Sequence, residues 1–148
     1  MDDRTPLGFN VHRLPYDAKR MRFPFFSSAI PAPHIQVGRE GEDTAVRYLR
    51  TLGYTILGRN IHVGKKDEID ILAFDRSEKI TVFAEVKSRE RSGAYAPEMN
   101  ITWDKRTAMA RAAARWITQR NLDVPYRLDV ICVSEGRVVD HYKEIESD

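Results

Sequence analysis

The 148-residue chain has a single cysteine, Cys132, so no internal disulfide can form, and a reducing, cytoplasmic setting is expected. Its four histidines, His12, His34, His62 and His141, are scattered, and no Cys/His spacing of the zinc-binding kind occurs. No apolar run approaches the roughly 20 residues that a membrane-spanning helix needs, so no membrane partner is expected. An excess of one charge is also lacking: 24 Lys and Arg against 22 Asp and Glu leave +2. That excess lies in residues 1–37, where five basic residues face three acidic ones. A polycation that coats nucleic acid is thereby excluded, whereas a local basic face beside an acidic site is not.

Proline is scarce after the start, since five of the seven prolines fall within the first 33 residues, where no periodicity persists. Residues 1–37 therefore read as a Pro-rich irregular extension, and 38–148 as one folded domain. The stretch 19–30 runs from basic to apolar like a leader peptide, but Pro24 and two serines interrupt it, so Phe23, Phe25 and Phe26 are read as docking on the domain or staying disordered.

From Gly38 the pattern is regular. Ala45, Val46, Leu49 and Leu52 recur at helical spacing, with Gly53 as a stop. Strands follow over 54–60, 68–74 and 79–87, the last two joined as a hairpin by the short link 75–78. A loop over 88–100 precedes a helix over 102–120 with Met109, Ala112, Ala113, Trp116 and Ile117 on one face, which Asn121 ends. Strands over 126–134 and 138–142 complete an α-β-β-β-α-β-β order, an α/β domain with a central mixed sheet flanked by helices.

Chemistry-bearing residues gather on this framework. Alternation puts Phe83, Glu85 and Lys87 on one side of their strand, and Asp70 on the same side as Leu72 and Phe74, a carboxylate in an apolar row that needs a partner. Across the hairpin Asp70 lies near Glu85. Glu42 precedes Ala45, Val46 and Leu49 by three, four and seven residues and shares their inward stripe. Carboxylates so close raise one another's pKa, and a hard divalent cation, Mg²⁺ or Mn²⁺, relieves that penalty. The chemistry served is phosphodiester hydrolysis, with a lysine to orient water or stabilise charge. Each feature also has a plainer account: an E-x-K pair is ordinarily a solvated ion pair, and an acid in a first helical turn answers the helix dipole.

Gly41-Glu42, Gly53-Tyr54, Arg59-Asn60, Glu68-Ile69-Asp70, the run from Phe83 to Arg89, Lys105 and Arg127-Leu128-Asp129-Val130 together resemble the YraN-like family of uncharacterised bacterial proteins. The resemblance spans about residues 38–142. That family is similar to archaeal Holliday-junction resolvases in the restriction-endonuclease-like PD-(D/E)XK superfamily, which implies an α-β-β-β-α-β core. It makes Asp70 and Glu85 metal ligands, with the Val86 carbonyl a further one, Lys87 the water-orienting lysine and Glu42 the helix-one glutamate that completes the site. It further implies DNA, branched DNA in particular, as substrate and a homodimer as the working form. Asp67 departs from the pattern, which commonly has glycine there, and an added acid would alter the turn or repel DNA.

Lys65, Lys66, Arg89 and Arg91 flank the site on loops and are candidate phosphate contacts, as are Lys105, Arg111 and Arg115 on the second helix. Trp103 and Trp116 read as core anchors, Cys132 as packed and His62 as solvated. The competing function is a non-catalytic nucleic-acid-binding or interaction module on the same fold.

Overall fold

A computed structural model describes residues 33–89 and 101–145. In chain order these form α1 (Pro33–Thr51), β1 (Thr55–Val63), β2 (Asp67–Asp75), β3 (Ile80–Arg89), α2 (Trp103–Gln119), β4 (Tyr126–Ser134) and β5 (Arg137–Tyr142). The expected α-β-β-β-α-β-β order is present. One boundary differs: α1 starts at Pro33, so residues 33–37, expected in the irregular extension, are helical. A proline at the first helical position has its φ preset and no N–H to satisfy, which suits that start. Residues 1–32, including the three phenylalanines, lie outside the described residues.

The five strands form one sheet in the order β1-β2-β3-β4-β5. All neighbours are antiparallel except β3 and β4, which run parallel. A parallel pair needs a crossover, and α2 provides it. Successive β3 residues feed opposite layers. Phe83 packs with Met109, Ala112, Ala113 and Trp116 of α2, whereas Val82 and Ala84 pack with Ala45, Val46 and Leu49 of α1. The helices thus cover the two faces of a mixed sheet. No helix among the described residues is long and apolar enough to cross a membrane.

Both helices stop through local chemistry. Gly53, at φ +86°, closes α1 as its N–H reaches the Arg50 carbonyl and that of Tyr54 reaches Leu49, both at 3.0 Å. Leu52 consequently falls in the cap and is 49% exposed rather than part of the inward stripe. Thr102 caps α2, accepting from the Lys105 N–H, and Asn121, at φ 51°, ends it as expected.

The α1 face of the sheet also carries a buried polar network. Arg127 donates through Nε to Asp129 (2.8 Å) and through Nη1 to Glu78 (2.6 Å), and its Nη2 lies 3.4 Å from Asp75. His141 Nε2 lies 2.9 Å from Asp129, while its Nδ1 is 3.3 Å from the Tyr48 hydroxyl. Burial opposes the charge on Asp129, but hydrogen bonds from His141 and Arg127 outweigh it and hold the carboxyl below its ordinary range. These pairs tie the edge strand β5 and helix α1 to β4.

Candidate active site where two strands part

Antiparallel pairing of β2 with β3 runs from Asp75 opposite Ile80 to Ile71 opposite Ala84 and stops there. One step further the same register brings Asp70 opposite Glu85, and here side-chain chemistry replaces the ladder. Asp70 Oδ2 accepts the Val86 N–H at 2.8 Å, the bond a backbone carbonyl would otherwise take. The N–H and C=O of one strand residue face the same neighbour, so the Val86 carbonyl is directed toward the same gap. The expected alternation along β2 also fails at this point. Ile71 and Ala73 pack with α1 and Leu72 with α2, but Ile69 joins the α2 side as well. Freed from β3, the strand twists, and Asp70 lies between the two layers.

Glu85 is buried, and two lysines meet one of its oxygens: Lys105 Nζ at 2.7 Å and Lys87 Nζ at 3.3 Å from Oε1. Asp70 has no such partner. Burial and then the Glu85 charge push its pKa from 3.8 up to about 7; the Glu42 charge adds to the rise, against the Val86 N–H and Lys105. Two carboxylates and a lysine therefore converge as the hairpin argument expects. The site also holds a second lysine, Lys105, that was expected on phosphate; it bonds Glu85 instead, because the first turn of α2 overhangs β3.

Glu42 stands on α1 at the other side of the gap. Its Oε2 accepts from Asn60 Nδ2 at 2.8 Å, with Arg59 Nη2 at 3.5 Å, and Arg59 bonds Asp43 at 2.7 Å. Asn60 has φ 48°, a left-handed conformation that asparagine tolerates, which turns β1 toward the helix. The role of Arg59-Asn60 as the clasp on Glu42 was not read from the sequence, although both belong to the motif series. Gly41 permits the approach: a Cβ there would run into the Ser88 hydroxyl and lie 2.8 Å from the Ser88 Cβ. Glu42 influences Asp70 by charge, but it is not gathered with Asp70 and Glu85 into one ligand set. Among the described residues no group of three or more His, Cys, Asp or Glu side chains could hold a metal ion. The donors that fit a hard divalent cation are Asp70, Glu85 and the Val86 carbonyl, all oxygen and all directed at one gap, with Asp70 poorly tolerated while charged and alone.

The expected nucleic-acid contacts divide. Lys65 and Lys66 are exposed on the turn between β1 and β2, and Arg89 ends β3. Arg91 lies outside the described residues. Arg111 and Arg115 are not freely available. Buried Asp67 accepts from Arg111 Nε at 3.0 Å and Nη2 at 2.6 Å, and Arg115 Nη1 is 3.7 Å away. Hydrogen bonding to Arg111 holds the Asp67 carboxyl below its ordinary range. The acid that interrupts the family pattern is thus an anchor of the β1–β2 hairpin on α2, its charge neutralised. Trp116 is a core residue, edge-on to Phe83 at 5.7 Å, and Cys132 is buried. Trp103 is the correction, since it is 65% exposed.

A five-stranded mixed sheet with one helix on each face and acids where the central strands part is an α/β arrangement consistent with a restriction-endonuclease-like core. Within it the chain belongs to the uncharacterised protein family UPF0102, the YraN-like family, whose sequence profile matches residues 41–133. It is 41% identical over 102 residues to a UPF0102 protein of Oleidesulfovibrio alaskensis, a match covering 68% of this chain and 49% of that relative. Over 99 residues it is 39% identical to one of Geobacter sulfurreducens (66% and 75% covered). Over 116 residues it is 38% identical to one of Phocaeicola vulgatus (76% and 93% covered).

Proposed function

We propose that this protein is a metal-dependent endonuclease that hydrolyses phosphodiester bonds in DNA, with branched DNA as its preferred substrate. The observation that carries the reading is Asp70: a carboxylate buried against Glu85 at the end of a strand pairing, with its pKa raised to about 7 and no cation of its own. Mg²⁺ or Mn²⁺ would be held by Asp70, Glu85 and the Val86 carbonyl; such an ion supplies an acidified water and neutralises charge on the phosphate. Lys87, at the mouth of the site, orients the attacking water and screens charge growing on phosphate oxygens. Glu42, clasped by Asn60, adds negative potential that favours the cation. Lys65, Lys66 and Arg89 hold flanking phosphates, and symmetric cutting of a junction calls for a homodimer.

One observation favours a second reading. Glu85 already has two lysine partners, as in a site that has settled without metal and serves as a non-catalytic nucleic-acid-binding module. The experiment that separates them is strand cleavage by the purified chain in Mg²⁺, Mn²⁺ or EDTA. Four-way junctions, flaps, duplex and single-stranded DNA, and RNA are compared, with Asp70→Ala as control. Metal-dependent cutting that Asp70→Ala abolishes supports the nuclease. No cutting, together with no metal binding by calorimetry, leaves the binding module.

A further inference from the structure

Trp103 is the first residue of α2 and the most exposed of the large apolar side chains, at 65% of its surface. No ring contact or cation over its indole is found among the described residues, in contrast to Trp116, which packs on Phe83 and lies under Arg120. Leaving an indole in water forgoes about 2–3 kcal/mol of burial. The backbone that presents it is nevertheless firmly held. Ile101 is buried just before it, and Thr102 caps the helix by accepting from the Lys105 N–H.

Its surroundings are cationic and adjoin the acid pair. Lys105, two residues on, reaches Glu85 at 2.7 Å, and Lys87 lies 3.3 Å from the same oxygen. Arg106 lies one turn beyond Trp103, and its Nε is buried with no hydrogen-bond partner among the described residues. Asp104 is the acid of this first turn and answers the helix dipole. By helix geometry and side-chain length the indole lies within about 15 Å of the Glu85 carboxylate, two or three nucleotides along an extended strand. An exposed flat aromatic among cations, at this spacing from a phosphodiester-cutting centre, matches the surface that binds an unstacked base.

We infer that Trp103 is a stacking platform for an unpaired base next to the scissile phosphate, so that the site selects single-stranded or branched nucleic acid over continuous duplex. The inference rests on the nuclease reading for its substrate, and Trp103 acts as a specificity determinant rather than in the chemistry. A continuous duplex keeps its bases stacked on one another and offers the indole nothing but its backbone, whereas a strand end, flap or junction exposes a base face. Charge complementarity with Lys105 and Arg106 favours nucleic acid over an apolar protein partner.

The test uses the full chain in EDTA, with fluorescein-labelled oligothymidine and a blunt duplex of equal length as probes. Anisotropy gives the two affinities, and indole emission reports stacking directly, with the buried Trp116 contributing in every sample. Trp103→Ala is expected to weaken single-strand binding by about 5- to 100-fold and duplex binding by less than about twofold, while Trp103→Phe retains most of the single-strand affinity. Emission of the wild-type protein should fall on adding oligothymidine, and that change should vanish in Trp103→Ala. Equal single-strand affinity in Trp103→Ala and wild type would overturn the inference, as would equal losses on both probes. Sedimentation that finds a dimer lost in Trp103→Ala, with nucleic-acid affinity intact, also overturns it by assigning the indole to a contact between copies. Metal-dependent cleavage with no dependence on Trp103 removes this inference alone. Binding that depends on Trp103 without cleavage removes the hydrolase and leaves the platform.

Discussion

Replacing Asp70 by asparagine should make the metal-free protein more stable, and the gain should depend on pH in a defined way. The side chain keeps its size, and its carbonyl oxygen can still accept the Val86 N–H, so the perturbation removes charge and little else. In the folded protein the carboxyl titrates near 7 instead of 3.8. Between those values the folded state binds the proton that the unfolded state has lost, so stability falls as pH rises from about 4 to about 7 and is level above. At about 1.4 kcal/mol per pH unit the full shift corresponds to roughly 4 kcal/mol. Sharing with Glu85 and partial solvent access reduce this to about 1–3 kcal/mol, or roughly 5–10 °C in melting temperature for a domain of this size. Thermal melts in EDTA of wild type and Asp70→Asn between pH 4.5 and 8 measure it. The variant should melt higher at pH 8, and the two curves should converge toward pH 4.5. Equal or lower melting of Asp70→Asn at pH 8, with parallel pH dependence, would refute the claim that this carboxylate is held charged at a cost.

Several further outcomes follow from the same contacts. On the proposed reading, millimolar Mg²⁺ should raise the wild-type melting temperature at pH 8 and leave that of Asp70→Asn unmoved. Arg127→Met strands Asp75 and Asp129 in the interior and should cost about 3–5 kcal/mol in urea unfolding at pH 8, less at pH 4, where the orphaned acids can take up protons. Arg111→Ala removes both bonds to buried Asp67 and should cost about 1–3 kcal/mol, with hydrogen exchange in the β1–β2 hairpin accelerated first. Gly41→Ala drives a methyl group into Ser88 and should cost about 1–3 kcal/mol, measured by the same melts.

The element order was legible because most segments obey a single rule. The helix over 102–120 has a cap, an apolar stripe and a left-handed stop, and Trp103–Gln119 is what folds. The hairpin of β2 and β3 was legible for the same reason, and with it the meeting of Asp70 and Glu85. The failures lie where two elements meet. Helical periodicity gives the face of Arg111 and Arg115 but not the neighbour, and Asp67 reaches them only through the fold, 44 residues away in sequence from Arg111. Lys105 was placed at the border of the apolar stripe, and only the overhang of α2 on β3 makes Glu85 its partner. Trp103 reads as core because tryptophan usually is, whereas its position precedes the buried stripe of Met109, Ala112, Ala113 and Trp116. Strand alternation likewise cannot announce that Ile69 will change layers, since that follows from the end of a ladder.

The end of that ladder also bears on why an acid stands at position 70. Where β2 leaves β3, the Val86 N–H needs an acceptor, and a neutral asparagine, a water or one more backbone pair would satisfy it without burying charge. The carboxylate does the same structural work while its burial beside Glu85 opposes ionisation. Asp67, Asp75 and Asp129 are different: each is buried with cations or hydrogen-bond donors that keep it charged at no such penalty. The sequence therefore supplies partners to its structural acids and withholds a dedicated one from Asp70. A fold under selection for stability alone has no use for that difference, whereas a site that must attract a divalent cation depends on it.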